Sequence, residues 1–315
     1  MAENLDEVYD LIARRLGRGK VIPVLGAGVN LCERPPEVAW QRGGRYLPSG
    51  RELAQELAKD VPHPFPDGYD LARVAQYLAA SEGPGPLYQE LHDLFDADYP
   101  PTLLHHFLAR LSRQTRTEGA RECMLLLTTN YDTLLEQAFE SLGEPYDVVT
   151  YIAEGRDRGL FRHLPFDGSS TVIRVPNEYT EIRLDQRPVI AKIHGAVDRI
   201  GGSDSYVITE DHYIDYITRA DVGSLFPVTL AAKLRTSHLI FLGYSLRDWN
   251  FRVMLYRLSG QQEGMTFKHW AMQYRPDPID RAAWDERGVD ILPVRVEEFV
   301  DAVERRLNTE EPVSP

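Results

Sequence analysis

Cysteine is scarce in this 315-residue sequence: there are two, Cys32 and Cys123. Two thiols cannot build the four-cysteine cage of a structural zinc site. Nothing in their placement suggests a disulfide framework, so a reducing compartment is the expected setting and Cys123, opening an apolar run, is expected in the core. Long apolar runs are missing too. None approaches the roughly 20 residues that a helix needs to span a bilayer. The opening Met1-Ala2-Glu3-Asn4-Leu5-Asp6 is acidic and lacks the pattern of a secretory signal. A cytoplasmic protein with no membrane attachment is expected. Positive charge is in deficit, with 35 Lys and Arg against 48 Asp and Glu, a formal net charge of −13. Such a surface repels phosphate backbones, so no direct nucleic-acid binding is expected. The arginines between Arg110 and Arg121 read as a solvated face rather than a basic patch.

What is present describes a folded α/β chain. The composition is 43% hydrophobic and 26% charged, far from that of a disordered polymer. Leu5, Val8, Tyr9, Ile12 and Leu16 recur at helical spacing. Val21-Ile22-Pro23-Val24-Leu25 follows, an apolar run too short for a helix that ends in Gly26-Ala27-Gly28. It reads as a buried strand entering a glycine turn. Residues 31–118 change character: proline-rich loops separate amphipathic stretches at Glu52–Lys59, Tyr69–Ala80, Pro86–Phe95 and Thr102–Leu111. This region reads as a helical insert, with Tyr69, Tyr77 and Tyr88 as core aromatics. Strand patterns return at Met124–Thr128, Val148–Tyr151, Thr171–Val175, Val189–Ile193, His238–Leu242, Thr266–Met272 and Val289–Val294. Helices are expected at Asp132–Leu142, Glu210–Ile217, Val228–Leu234, Trp249–Leu258, Ile279–Trp284 and Glu297–Leu307. The stretch 154–187 has no clear pattern. Strands alternating with helices predict a Rossmann-like doubly wound, mostly parallel sheet covered on both faces. The expected organisation is one body from residues 1–30 and 119–307, the insert at 31–118, and a disordered tail at 308–315.

In such sheets ligands bind beyond the carboxyl ends of the strands. Four polar or glycine-rich clusters fall at those ends. Gly26-Ala27-Gly28-Val29-Asn30 lets backbone approach a pyrophosphate, but Leu31 stands where a third glycine would complete the dinucleotide fingerprint. An ordinary strand–helix turn explains it as well. Asn130 and Asp132, in Thr128-Thr129-Asn130-Tyr131-Asp132, sit where a strand gives way to a helix, and either could be an N-cap. His194, in Lys192-Ile193-His194-Gly195, can accept a proton near neutral pH or be a structural histidine. Gly243-Tyr244-Ser245 allows close backbone approach and a hydroxyl donor, or caps the next helix.

Taken in order, these clusters resemble the sirtuin superfamily, in particular its prokaryotic, zinc-free antiphage-defence branch. Gly26-Ala27-Gly28 is similar to its opening phosphate loop and Asn130-Tyr131-Asp132 to its Asn-x-Asp motif. His194-Gly195 is similar to its catalytic His-Gly, and Gly243-Tyr244-Ser245 to its later Gly-x-Ser loop. The resemblance implies NAD as substrate. It implies Asn130, His194 and Asp132 as catalytic residues: Asn130 holding ribose and water, Asp132 contacting the nicotinamide amide, His194 acting as general base. It implies Gly26, Ala27, Gly28, Asn30, Gly243 and Ser245 as dinucleotide contacts. Asn30 departs from the serine usual there, and the arginine-bearing stretch that follows in the family is not clear. The two Cys-x-x-Cys pairs of protein deacylases are absent, so zinc is not expected and water is the natural acceptor. The function implied is a regulated NAD glycohydrolase depleting NAD in antiphage defence. A homo-oligomer and a separate partner, such as a HerA-type ATPase or a short Argonaute, are implied with it. A non-catalytic NAD or ADP-ribose sensor is the alternative, and a protein deacylase a weaker one.

Overall fold

The computed structural model describes residues 5–59, 61, 65, 70–118, 120–198, 203–219, 226–244 and 267–309. Ten helices and eleven strands occur among them. Helix α1 (Leu5–Gly17) leads into β1 (Val21–Leu25). Helices α2 (Gly50–Leu57), α3 (Leu71–Glu82), α4 (Pro84–Phe95) and α5 (Leu103–Thr117) follow before β2 (Leu125–Thr128) and α6 (Leu134–Ser141). Then come β3 (Asp147–Tyr151), β4 (Phe161–Leu164), β5 (Thr171–Ile173), β6 (Val189–Lys192), β7 (Gly195–Ala196), β8 (Ser205–Tyr206) and α7 (Glu210–Arg219). The chain closes with α8 (Val228–Arg235), β9 (His238–Leu242), β10 (His269–Met272), α9 (Pro278–Asp285), β11 (Val289–Leu292) and α10 (Val296–Thr309).

Nine strands form one sheet in the order β11-β10-β9-β1-β2-β6-β3-β4-β5, and β7 pairs with β8 in a separate ribbon. Every pairing from β11 across to β3 is parallel; β4 and β5 add an antiparallel edge. The mostly parallel α/β architecture expected from the sequence is therefore present. Its strands are apolar at successive positions because both faces are covered. Ile22, Val24, Leu125, Leu127, Val189 and Ala191 enter one core with Tyr216, Leu230 and Trp284. Val21, Leu25, Leu126 and Ile190 enter the other, under α1, α5, α6 and α10. A third core unites α2, α3 and α4 with Tyr131, Leu134, Val197 and Tyr206.

Local chemistry sets several helix starts. Ser49 and Glu52 form a reciprocal capping box at α2. Thr102 and His105 do the same at α5, with the imidazole Nδ1 taking the acceptor role usually played by a carboxylate. Pro84 occupies the first turn of α4, where its missing N–H costs nothing.

Some expectations shift. The patternless stretch 154–187 contains β4, whose inward residues are Phe161 and His163. Helix α10 runs to Thr309, two residues past its expected end. Tyr88 packs against Tyr206, but Tyr77 is exposed, its ring meeting Phe65 edge-on. Tyr69, the helix expected at Trp249–Leu258 and the tail from residue 310 lie outside the described residues. Both cysteines are buried, and burial pushes the Cys32 thiol up to about 12, leaving it an inert core group. No helix among the described residues is long and apolar enough to cross a membrane.

Candidate functional site

The chain enters the sheet at its middle. From β1 it moves to β2, β6 and β3 on one side, then returns to β9, β10 and β11 on the other. The boundary between β1 and β9 is thus a topological switch point, the usual position of a ligand crevice in open α/β sheets. The registers align the strand ends there. Leu25 lies opposite Thr128 on one side and Leu242 on the other, and Thr128 lies opposite Lys192. Residues just beyond these pairs are therefore neighbours: Gly26, Thr129, Ile193 and Gly243. The ladder runs one step further at each junction, with Gly26 N–H donating to Leu242 O (3.1 Å), Thr129 N–H to Leu25 O (3.1 Å) and Ile193 N–H to Thr128 O (3.0 Å). Asn130 and His194 each follow two residues after the Thr128–Lys192 pair, so topology brings them to the same edge.

The glycine loop is shaped by its neighbour. A Cβ on Gly26 or Gly28 would come within 2.8 and 2.6 Å of Gly243 O, and Gly28 N–H donates to that same oxygen at 2.8 Å. Gly243 itself has φ +59°, and a Cβ there would stand 2.2 Å from Val29 N. The three glycines allow the β1 and β9 turns to touch backbone to backbone. This close packing is by itself a reason for glycine at all three positions.

Asn130 is buried; its N–H donates to Thr128 Oγ1 (3.0 Å) and its Nδ2 to Gly26 O (3.3 Å), which fastens the β2 turn to the β1 turn. Asp132 is buried with both carboxylate oxygens engaged. Oδ1 accepts from Leu134 N–H (3.0 Å) at the start of α6, and Oδ2 accepts from Asn30 Nδ2 (2.8 Å). The capping alternative for Asp132 thus describes one of its two bonds, and Asn30 supplies the second from 102 residues away.

Lys192 was quoted in the sequence only as part of the stretch leading to His194. The structure gives it a larger place. Its side chain is 1% exposed, and Nζ donates to Glu136 Oε1 (2.7 Å) and to the Asp132 carbonyl. The strand that precedes His194 is thereby pinned to the turn that carries Asn130 and Asp132. A lysine closing an otherwise apolar strand was the available signal, because a buried ammonium must have partners. His105 is a second missed neighbour. Burial is the main cause that lowers its pKa to about 4, so it stays neutral beside Asp132 and Lys192.

His194 is 3% exposed. Its ring is met edge-on by Tyr213 and Tyr216 of α7, with centroids 5.8 and 5.7 Å away, and its carbonyl accepts from Val207 N–H at 2.8 Å. Gly195 has φ +86°, and a Cβ there would lie 2.0 Å from Ser205 O, so only glycine permits the ribbon that turns the chain back over the site. Tyr131, between Asn130 and Asp132, faces the insert: its hydroxyl donates to Val207 O (2.7 Å), and its ring meets Phe95 of α4 and Tyr206 of β8. Of the residues singled out in the sequence, Gly26, Ala27, Gly28, Asn30, Asn130, Asp132, His194 and Gly243 thus belong to neighbouring strand ends. Ser245 lies outside the described residues.

A family model described as a SIR2-like domain matches residues 124–292, more than half of the chain. The chain belongs to the SIR2-like family. The matched segment runs from β2 to β11 and includes the Asn130–Asp132 turn, His194 and Gly243. Among curated proteins, Defense-associated sirtuin 2 of Bacillus subtilis is 20% identical over 292 residues, covering 92% of this chain and 24% of that protein. NAD(+) hydrolase ThsA of Enterococcus faecium is 27% identical over 240 residues, 76% of this chain and 40% of that protein. ThsA of Bacillus cereus is 26% identical over 234 residues, 72% and 40% respectively. The chain spans between about a quarter and two-fifths of the length of these relatives.

Proposed function

We propose that this SIR2-like chain is an NAD glycohydrolase that cleaves NAD to nicotinamide and ADP-ribose, acting as a regulated NAD-depleting effector in antiphage defence. The observation that carries the reading is the alignment of Asn130 and His194 two residues beyond the Thr128–Lys192 pair, beside the Gly26–Gly28 turn at the switch point. The names of the relatives, NAD(+) hydrolase and defense-associated sirtuin, support it.

The chemistry asked of the site is modest. The bond between nicotinamide N1 and ribose C1′ breaks, and its electron pair leaves on a base that becomes neutral. A water oxygen bonds to C1′, and its proton passes to His194. Positioning and electrostatics supply most of the acceleration for such a step. Asn130 is assigned to orient ribose and water, and the turns at Gly26-Ala27-Gly28 and Gly243 to border the dinucleotide; Ser245, outside the described residues, is assigned a dinucleotide contact from the resemblance alone. Asp132 is assigned to contact the nicotinamide amide: each of its oxygens accepts one bond within the protein and keeps a further lone pair. Zinc has no part in this scheme.

The division into a body at 1–30 and 119–307 and an insert at 31–118 belongs to the same proposal. The gathering of α2, α3 and α4 in a third core, which also takes in Tyr131, Leu134, Val197 and Tyr206 of the body, supports it. Because an unregulated hydrolase would drain the cell, control through self-assembly or a partner, such as a HerA-type ATPase or short Argonaute, is proposed with it. The test is nicotinamide release from NAD, followed chromatographically. The expected result is release by the wild type, with His194→Ala and Asn130→Ala each lowering it about 10²–10⁴-fold while the fold persists. Undiminished turnover in both variants would overturn the assigned roles.

A further inference from the structure

Tyr131 grips the ribbon behind His194 at both of its exits. The ribbon is short: β7 is Gly195–Ala196 and β8 is Ser205–Tyr206. Val197 follows the first strand, and its N–H donates to the Tyr131 carbonyl at 3.0 Å. Val207 follows the second, and its carbonyl accepts the Tyr131 hydroxyl at 2.7 Å. The N–H of the same Val207 donates to the His194 carbonyl at 2.8 Å. The Tyr131 hydroxyl is thus joined to the backbone of His194 through a single residue. Val207 is fully buried, so its carbonyl has no solvent to replace that donor.

The surroundings make this link stiff. Ser205 Oγ donates to Tyr151 O (2.7 Å) and accepts from Ala153 N–H (2.9 Å), which fastens β8 to the end of β3. The Tyr131 ring meets Phe95 of α4 and Tyr206 of β8 at centroid distances of 5.3 and 5.1 Å, inside the core that also holds α2 and α3. Asn130 and His194 follow different strands, β2 and β6, and sharing a sheet edge does not fix one against the other. A reacting constellation has to be held to within about 0.5 Å. Lys192 ties down the strand before His194, and Val207 ties down His194 itself. We propose that the Tyr131 hydroxyl is a positioning group for cleavage of the dinucleotide: through Val207 it sets His194 against Asn130, and through its ring it ties that setting to the packing of the insert. The inference rests on the NAD-cleaving reading above. It asks no contact of the hydroxyl with NAD.

Tyr131→Phe removes the hydroxyl and keeps the ring. Nicotinamide release gives kcat and KM, and calorimetry gives Kd for NAD, each measured well below the Tm of the protein concerned. The expected result is a fall in kcat of about tenfold or more with KM and Kd within about twofold, because the lost bond acts on the geometry of the reacting groups. Tyr88→Phe is the comparison. It deletes a hydroxyl packed on the same core, one that donates to Tyr206 O at 3.4 Å, and should keep kcat within about twofold of wild type. Amide hydrogen exchange reads the link without NAD. The Val207 amide should be protected like those of β1 in the wild type and exchange about tenfold faster or more in Tyr131→Phe, with β1 unchanged. Wild-type kcat in Tyr131→Phe overturns the proposal, even where exchange or Tm changes, because the hydroxyl is then structural only. An equal fall of kcat in both tyrosine variants overturns it as well. A Val207 amide that exchanges freely in the wild type overturns it whatever the variants do. If wild type binds NAD and releases no nicotinamide, the hydrolase reading fails, while exchange at Val207 still decides whether Tyr131 holds His194.

Discussion

Removing the ammonium of Lys192 should be among the most damaging single changes in the molecule. Lys192→Met keeps the bulk of the side chain and deletes its charge. Glu136 would then hold a carboxylate whose Oε1 has lost its cation at 2.7 Å and whose Oε2 already lacks a partner among the described residues. The Asp132 carbonyl would lose its donor as well. Breaking a buried pair from one side costs about 3–5 kcal/mol. For a chain of this size that is a fall in Tm on the order of 5–10 °C. Replacing both partners is a different matter, because no charge is then stranded. Lys192→Met with Glu136→Leu should be less damaging than the sum of the two single changes, with a coupling of about 2 kcal/mol or more. Urea unfolding of the four proteins in the cycle measures this directly. Single variants that each cost less than about 0.5 kcal/mol and simply add would refute the reasoning.

Acid should weaken the fold in two separable windows. His105 and His269 are both neutral in the fold, with burial lowering each to about 4. In the unfolded chain they protonate near 6.5, so the unfolded state binds more protons and stability falls as pH drops from about 6.5 to 4. Each contributes about 1.4 kcal/mol per pH unit in that window, and His105→Gln, which preserves the capping geometry, should flatten the slope seen by urea titration. Glu52 acts in the same sense at lower pH: its hydrogen bond to Arg34 lowers its pKa to about 2, so its contribution is present above about 4.5 and is lost as pH falls through 2. Among the glycines, Gly243→Ala should cost about 3 kcal/mol or more, because positive φ and a 2.2 Å clash with Val29 N act together. Gly50→Ala, whose Cβ at the start of α2 would meet only Leu71 Cδ2 at 4.0 Å, should change stability by under about 1 kcal/mol.

Much of this fold was legible because its central strands are apolar at nearly every position. Val21–Leu25, Leu125–Thr128 and Val189–Lys192 are buried throughout, and each ends in residues that cannot continue a strand core. The site was legible as a set of such endings, though not as a set of contacts. Strand β4 escaped because one of its two inward residues is His163, a polar residue that Asp147 and Tyr179, each 16 residues away, satisfy. Lys192 escaped for the same reason: a buried charge reads as exposed until its partner is known. The bond between Asn30 and Asp132 joins residues 102 apart, and no local pattern announces it. Buried polar pairs of large separation are where sequence reasoning stops and the tertiary fold has to answer.

The central claim is hydrolysis of the nicotinamide–ribose bond at the Asn130–His194 edge. The most direct measurement is single-turnover cleavage of NAD in ¹⁸O-labelled water, with nicotinamide and the sugar product weighed by mass spectrometry. Nicotinamide together with ADP-ribose carrying one ¹⁸O, and neither product from His194→Ala, is the predicted result. Bound NAD that stays intact, or a product whose new bond holds no solvent oxygen, would contradict it.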